Sequence, residues 1–191
     1  MSVTMVPLNL PNILTVIRIL LVPVLVVALL GKTHDGDLLA AIVFAVASLT
    51  DAIDGYLARA RNSITTFGKL MDPIADKLLI IAALVALVSL DRLQAWVAMV
   101  IIAREFAVTA LRMAATQQGV IIAASPLGKL KTITQVLAVM ALIVVHGHPV
   151  WVSLLVYVTM AITVFSGADF FFGLRRRISE LDRTRADRAD A

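Results

Sequence analysis

The sequence predicts an all-α integral membrane protein: a six-transmembrane-helix bundle with both termini cytoplasmic. Three observations carry that prediction. The chain is oily, with 60% of its 191 residues hydrophobic and a mean hydropathy of +0.95, where soluble domains run roughly 45–50% apolar. Its apolar residues fall into six stretches, each near the about 20 residues needed to cross a bilayer. Its basic residues gather in alternate connections between those stretches.

The first stretch is Asn12–Leu30. No basic segment precedes it and no small-residue cleavage site follows, so it reads as a retained helix, not a signal peptide. The turn-rich GKTHDGD leads to the second, Asp37–Arg59, and the third runs from about Thr66 to Leu90. LDRLQ separates it from the fourth, Gln94–Arg112. The fifth is Pro126–Val145 and, beyond HGHP, the sixth is Pro149–Gly173. The division is therefore a membrane domain over 1–174 and a polar tail over 175–191, which alternates Arg with Asp and Glu. That tail either lies on anionic lipid or is mobile.

Charge placement orients the bundle. Twelve of the 17 Lys and Arg lie in the second loop (Arg59, Arg61, Lys69), the fourth loop (Arg112, Lys129, Lys131) and the tail (Arg175, Arg176, Arg177, Arg183, Arg185, Arg188). The odd-numbered loops hold only Lys32 and Arg92. The positive-inside rule then puts even loops and both termini in the cytoplasm. Trp96 and Trp151 fall at outer helix ends, where interfacial aromatics sit. His34, His146 and His148 also lie in outer loops and read as solvated residues. The absence of cysteine excludes disulfides and thiolate metal sites.

Against this background the stretch Thr50–Lys77 is anomalous, because it carries Asp51, Asp54, Asp72 and Asp76. Carboxylates at membrane depth are expensive and mark function by default. Residues three or four apart share a helix face, so each pair faces one way near the cytoplasmic end of its helix. Asp72 before Pro73 also suits a helix N-cap, with Asp76 in the first turn. Four carboxylates with few bases nearby nonetheless leave excess negative charge. Two divalent cations would neutralise it, and hard oxygen ligands suit Mg²⁺ or Mn²⁺. Such a pair clamps phosphoryl oxygens in an in-line displacement. Gly55, Ala58 and Gly68 keep the neighbouring wall smooth, which also serves close helix packing, and Arg59 offers a fork suited to phosphate.

The spacing D-x2-D-G-x2-A-R-x8-G-x3-D-x3-D through Asp51, Asp54, Gly55, Ala58, Arg59, Gly68, Asp72 and Asp76 resembles the signature of the CDP-alcohol phosphatidyltransferase family. The resemblance implies that Asp51, Asp54, Asp72 and Asp76 bind two divalent metals holding the diphosphate of a CDP-linked lipid. It implies that Asp76 deprotonates the acceptor alcohol. Asp51, Gly55, Ala58, Arg59, Gly68 and Asp72 would form the CDP-lipid site, and homodimers are usual in the family.

The acceptor must be read elsewhere. Helix four carries Arg104, Glu105 and Arg112, with Glu105 and Arg112 seven apart on one face and able to pair. Lys129 and Lys131 stand near the start of helix five. Cytoplasmic bases beside a two-metal site suit a second anionic substrate, although the positive-inside effect alone explains the two lysines. PNILTVIR (Pro11–Arg18), REFAVTALR (Arg104–Arg112) and SPLGKLKTITQ (Ser125–Gln135) are similar to stretches of bacterial family members that make phosphatidylglycerophosphate. This implies transfer from CDP-diacylglycerol to sn-glycerol 3-phosphate at the inner membrane, with Arg104, Arg112, Lys129 and Lys131 receiving the acceptor phosphate. Rival readings are a cardiolipin synthase, a phosphatidylinositol-phosphate synthase and, from another class, an ion-coupled transporter. Arg18 either snorkels to the interface or reaches a headgroup, and Asp169 reads as interfacial.

Overall fold

The computed structural model describes residues 10–31, 35–61, 66–117, 125–147 and 149–189. Within these, the side chains of 10–12, 51–61, 66–73, 76 and 180–189 lie outside the described residues. Six helices follow one another: α1 Leu10–Leu30, α2 Gly36–Arg61, α3 Thr66–Ser89, α4 Ala95–Gln117, α5 Pro126–Val144 and α6 Val150–Ala189. The described residues contain no strand.

The ends of these helices follow local chemistry. Ser125 caps α5, its hydroxyl accepting from the Gly128 amide at 3.2 Å. Pro126 then occupies the first turn, where its missing N–H costs nothing. The α3–α4 turn needs a left-handed residue, and Asp91 supplies it at φ 57°, a conformation Asp tolerates better than most. α3 begins at Thr66, which places Asp72 and Pro73 within the helix and sets aside the N-cap reading of Asp72. α4 runs five residues past the expected Arg112, to Gln117. α6 does not stop at Gly173: the polar segment continues it as helix to Ala189. Hydropathy ends there but helix propensity does not, because Arg, Ala, Glu and Leu are good helix formers.

Among the described residues, α1, α5 and α6 carry stretches long and apolar enough to cross a membrane: Ile13–Leu30, Pro126–Val144 and Val150–Ser179. α2 and α3 contribute shorter apolar pieces, Gly36–Thr50 and Lys77–Ser89. α4 carries Arg104, Glu105 and Arg112 within its turns. Large apolar side chains such as Leu20, Val27, Met99 and Phe165 stand exposed on the outside of the bundle. In water such a surface would aggregate; against lipid it is the expected face.

Packing centres on α1, which lies extensively against both α2 and α3. α2 and α3 touch each other only lightly, so α1 sets their spacing. α5 and α4 pack on α6, and α2 packs on α5. Leu25, Phe44, Leu84, Leu87, Val97, Val139 and Ile143 are fully buried in the shared core. Ala40, Ala47 and Ala83 between them let backbones approach closely. Thr15 and Arg18 of α1 are also buried, so Arg18 does not snorkel.

One end of the bundle is laced by polar contacts. Arg92, in the α3–α4 turn, donates to both oxygens of Asp37 at 2.9 and 2.7 Å. It also donates to the Ile143 carbonyl at 2.9 Å. His146, beyond α5, meets the same carboxylate at 2.5 Å. Beside this clasp, Trp96 stacks on Tyr157 with ring centroids 6.2 Å apart. Both donate to Gln94 Oε1, at 2.7 and 3.2 Å.

Candidate active site

Towards the opposite end, α2 to α6 enclose a cavity of about 840 Å³. Its α2 wall includes Ser48, one turn before Asp51, and its α3 wall includes Lys77, directly after Asp76. The side chains of Asp51, Asp54, Asp72 and Asp76, and those of Gly55, Ala58, Arg59 and Gly68, lie outside the described residues. Their helical backbone is described: Asp51, Asp54, Gly55, Ala58 and Arg59 follow Ser48 in the second half of α2, and Gly68, Asp72 and Asp76 precede Lys77 in the first half of α3. Four carboxylates form a hard-oxygen donor set, which fits Mg²⁺ or Mn²⁺.

The described polar wall is built around Glu105 of α4, only 5% exposed. Its carboxylate pairs with Lys131 of α5, with Lys77 of α3 at 3.3 Å and with its neighbour Arg104 at 3.5 Å. Three cations therefore surround one buried carboxylate, and three helices are tied at this level. A lone buried charge would be prohibitive, but a mutually hydrogen-bonded cluster is not. The excess of two positive charges is left to the cavity.

Arg104 reaches across to α6, where its guanidinium donates to Ser166 Oγ at 2.7 Å. Gly167 makes room for it: a Cβ there would stand 3.2 Å from Arg104 Cγ. Arg112, two turns further along α4, lies over the Phe170 ring, 5.3 Å from its centroid, a cation–π arrangement. The expected pairing of Glu105 with Arg112 is therefore replaced. Seven residues of separation put both on one face, but Lys131 and Lys77 approach Glu105 from facing helices and occupy it first. Lys129 is exposed at the mouth of the cavity. All four cations proposed for the acceptor thus line one cavity, two deep and two near its mouth.

Sequence reasoning passed over Lys77, Ser166, Gly167, Gln135 and Ser48. Ser166 and Gly167 carried a signal, a small polar pair within an otherwise apolar span. Lys77 was visible only as the end of the aspartate stretch. The rest needed the helices to be placed side by side.

Fold and cavity together define a helical bundle with long apolar spans and a cavity lined by Arg104, Arg112, Lys129 and Lys131. A family model for CDP-alcohol phosphatidyltransferases matches residues 8–165, and the chain belongs to that family. A Bacillus subtilis protein, CDP-diacylglycerol–glycerol-3-phosphate 3-phosphatidyltransferase, is 44% identical over 181 residues, covering 85% of this chain and 93% of its own. A Mycobacterium tuberculosis protein named "Probable phosphatidylglycerophosphate synthase" is 41% identical over 181 residues, covering 92% and 86%. A Rickettsia felis protein with the same name as the Bacillus one is 42% identical over 135 residues, covering 71% and 75%.

Proposed function

We propose that the protein transfers the phosphatidyl group of CDP-diacylglycerol to sn-glycerol 3-phosphate, giving phosphatidylglycerophosphate and CMP. The observation that carries this reading is the cavity itself. Arg104 and Arg112 of α4 and Lys129 and Lys131 of α5 line it together with residues of the two aspartate-bearing helices, such as Ser48 and Lys77. A dianionic phosphate monoester needs such a chamber, whereas a neutral lipid hydroxyl does not. The names of the similar bacterial proteins point the same way.

In this reading Asp51, Asp54, Asp72 and Asp76 hold two divalent cations. Held by these aspartates, the cations would offset the charge of the donor diphosphate and so favour the departure of CMP. Asp51, Gly55, Ala58, Arg59, Gly68 and Asp72 line the CDP-lipid site. Arg104 and Lys131, backed by Glu105 and Ser166, receive the acceptor phosphate, with Arg112 and Lys129 at the entrance. The acceptor's primary hydroxyl attacks the phosphorus that bears the diacylglycerol. Asp76 takes the hydroxyl proton, the bond to the CMP oxygen breaks, and CMP departs. The chain sits in a bacterial inner membrane as a homodimer, with this cavity facing the cytoplasm.

Purified protein given CDP-diacylglycerol and each acceptor in turn, with CMP release followed, tests the reading. Release with glycerol 3-phosphate, abolished by chelator and restored by Mg²⁺ or Mn²⁺, is expected. Release with inositol phosphate or phosphatidylglycerol but none with glycerol 3-phosphate would overturn the acceptor.

A further inference from the structure

Gln135 stands on the cavity wall one helical turn deeper than Lys131. It is 2% exposed, yet among the described residues neither its amide nitrogen nor its amide oxygen has a hydrogen-bond partner. Ser48 Oγ, on the α2 wall of the same cavity, is likewise buried and has no partner among the described residues. Gln135 lines the cavity together with Leu79, Val136 and Met140, and a buried amide left unpaired among apolar side chains is costly. A structural role would use the amide; here it is held ready.

The chemistry of the unmet atoms selects the ligand. A carboxamide with both ends free offers N–H donors and a carbonyl acceptor side by side. A phosphate satisfies the donor alone, and so does an ester carbonyl. A hydroxyl satisfies both, accepting from the nitrogen and donating to the oxygen. Lys131 and Gln135 are four residues apart and share a face of α5, neighbours at about 5–6 Å. That spacing suits a small molecule whose phosphate and secondary hydroxyl sit on adjacent carbons. We propose that Gln135 is a specificity-determining residue that binds the secondary hydroxyl of the polyol-phosphate acceptor while the Arg104–Lys131 group holds its phosphate. This rests on the acceptor proposed above, and it separates an acceptor bearing that hydroxyl from one that merely bears a phosphate and a nucleophile.

The test pairs two acceptors. 3-Hydroxypropyl phosphate keeps the phosphate and the attacking hydroxyl of glycerol 3-phosphate and lacks only the secondary one. The native protein should favour glycerol 3-phosphate in kcat/KM by about tenfold to a hundredfold, the range for an unpaired buried group. Gln135→Leu should bring that ratio close to one, with KM for CDP-diacylglycerol unchanged. Its thermal midpoint should not fall, because an unmet amide is exchanged for an apolar side chain of similar size. If that variant does not accumulate, Gln135→Met replaces it. A native protein that uses both acceptors equally well overturns the proposal without any variant. A variant that keeps the native preference overturns it too. A loss confined to KM for CDP-diacylglycerol overturns it by assigning the amide to the donor's ester oxygens. Release of CMP with inositol phosphate or phosphatidylglycerol, but with neither of the paired acceptors, marks failure of the acceptor reading itself and takes this inference with it.

Discussion

At the scale of single residues, Asp76 and Gly167 make contrasting predictions. In its proposed role Asp76 both accepts a proton and ligates a cation, so Asp76→Asn should keep CDP-lipid binding and lose turnover by about a thousandfold or more. Near-native CMP release from that variant removes Asp76 from the chemistry. Gly167 touches nothing reactive, but its missing side chain is the seat of Arg104. Gly167→Ala should push Arg104 off Ser166 and raise KM for glycerol 3-phosphate on the order of tenfold, about 1.4 kcal/mol. KM for CDP-diacylglycerol and the thermal midpoint should hold. An unchanged acceptor KM would show that the seat does not matter. The four aspartates were legible in the sequence because charge inside an oily chain is conspicuous and their spacing is set by helix geometry. Gly167 was not, because a glycine in an apolar span is also ordinary packing material. Glu105 was seen, but its partners were mistaken: pattern within one helix cannot reveal which neighbouring helix reaches a carboxylate first.

At the scale of elements, the six helices begin and end within a few residues of the sequence expectation except where polarity misled. Hydropathy drew a boundary at the end of the apolar part of α6, and α6 ignores it. Forty residues of helix extend about 60 Å at 1.5 Å per residue, roughly twice the hydrocarbon thickness. The charged end of α6 must therefore project past the lipid. α5 depends on its start: Ser125→Ala should cost about 1 kcal/mol by removing the cap on Gly128, read as a lowered thermal midpoint. Because Lys131 lies two turns beyond that cap, the same variant should weaken glycerol 3-phosphate use more than CDP-lipid use. Equal effects on both would leave the cap purely structural.

At the scale of the whole molecule, orientation is the prediction to settle. The chain has no cysteine, so single cysteines report without background. With the proposed topology, Gln94→Cys should react with a membrane-impermeant maleimide added outside intact cells. Ser179→Cys should react only after the membrane is opened. The reverse pattern would turn the bundle over and place the cavity on the wrong side for a CMP-releasing reaction. The bundle architecture was readable because six apolar stretches and biased charge constrain it strongly. The way α1 separates α2 from α3 was not, since light contact between consecutive helices leaves no trace in either one's pattern.

The clasp of Asp37, Arg92 and His146 ties α2, α5 and the α3–α4 turn at the end far from the cavity. The bundle is thus fastened twice, by this clasp at one end and by the Glu105 cluster at the level of the cavity. Admitting a two-tailed lipid with a nucleotide headgroup and releasing one with a smaller headgroup asks for room at the cavity end, away from the clasp. Two fastenings at different depths leave the outer helix faces, and not the joints between helices, as the route by which acyl chains reach the cavity.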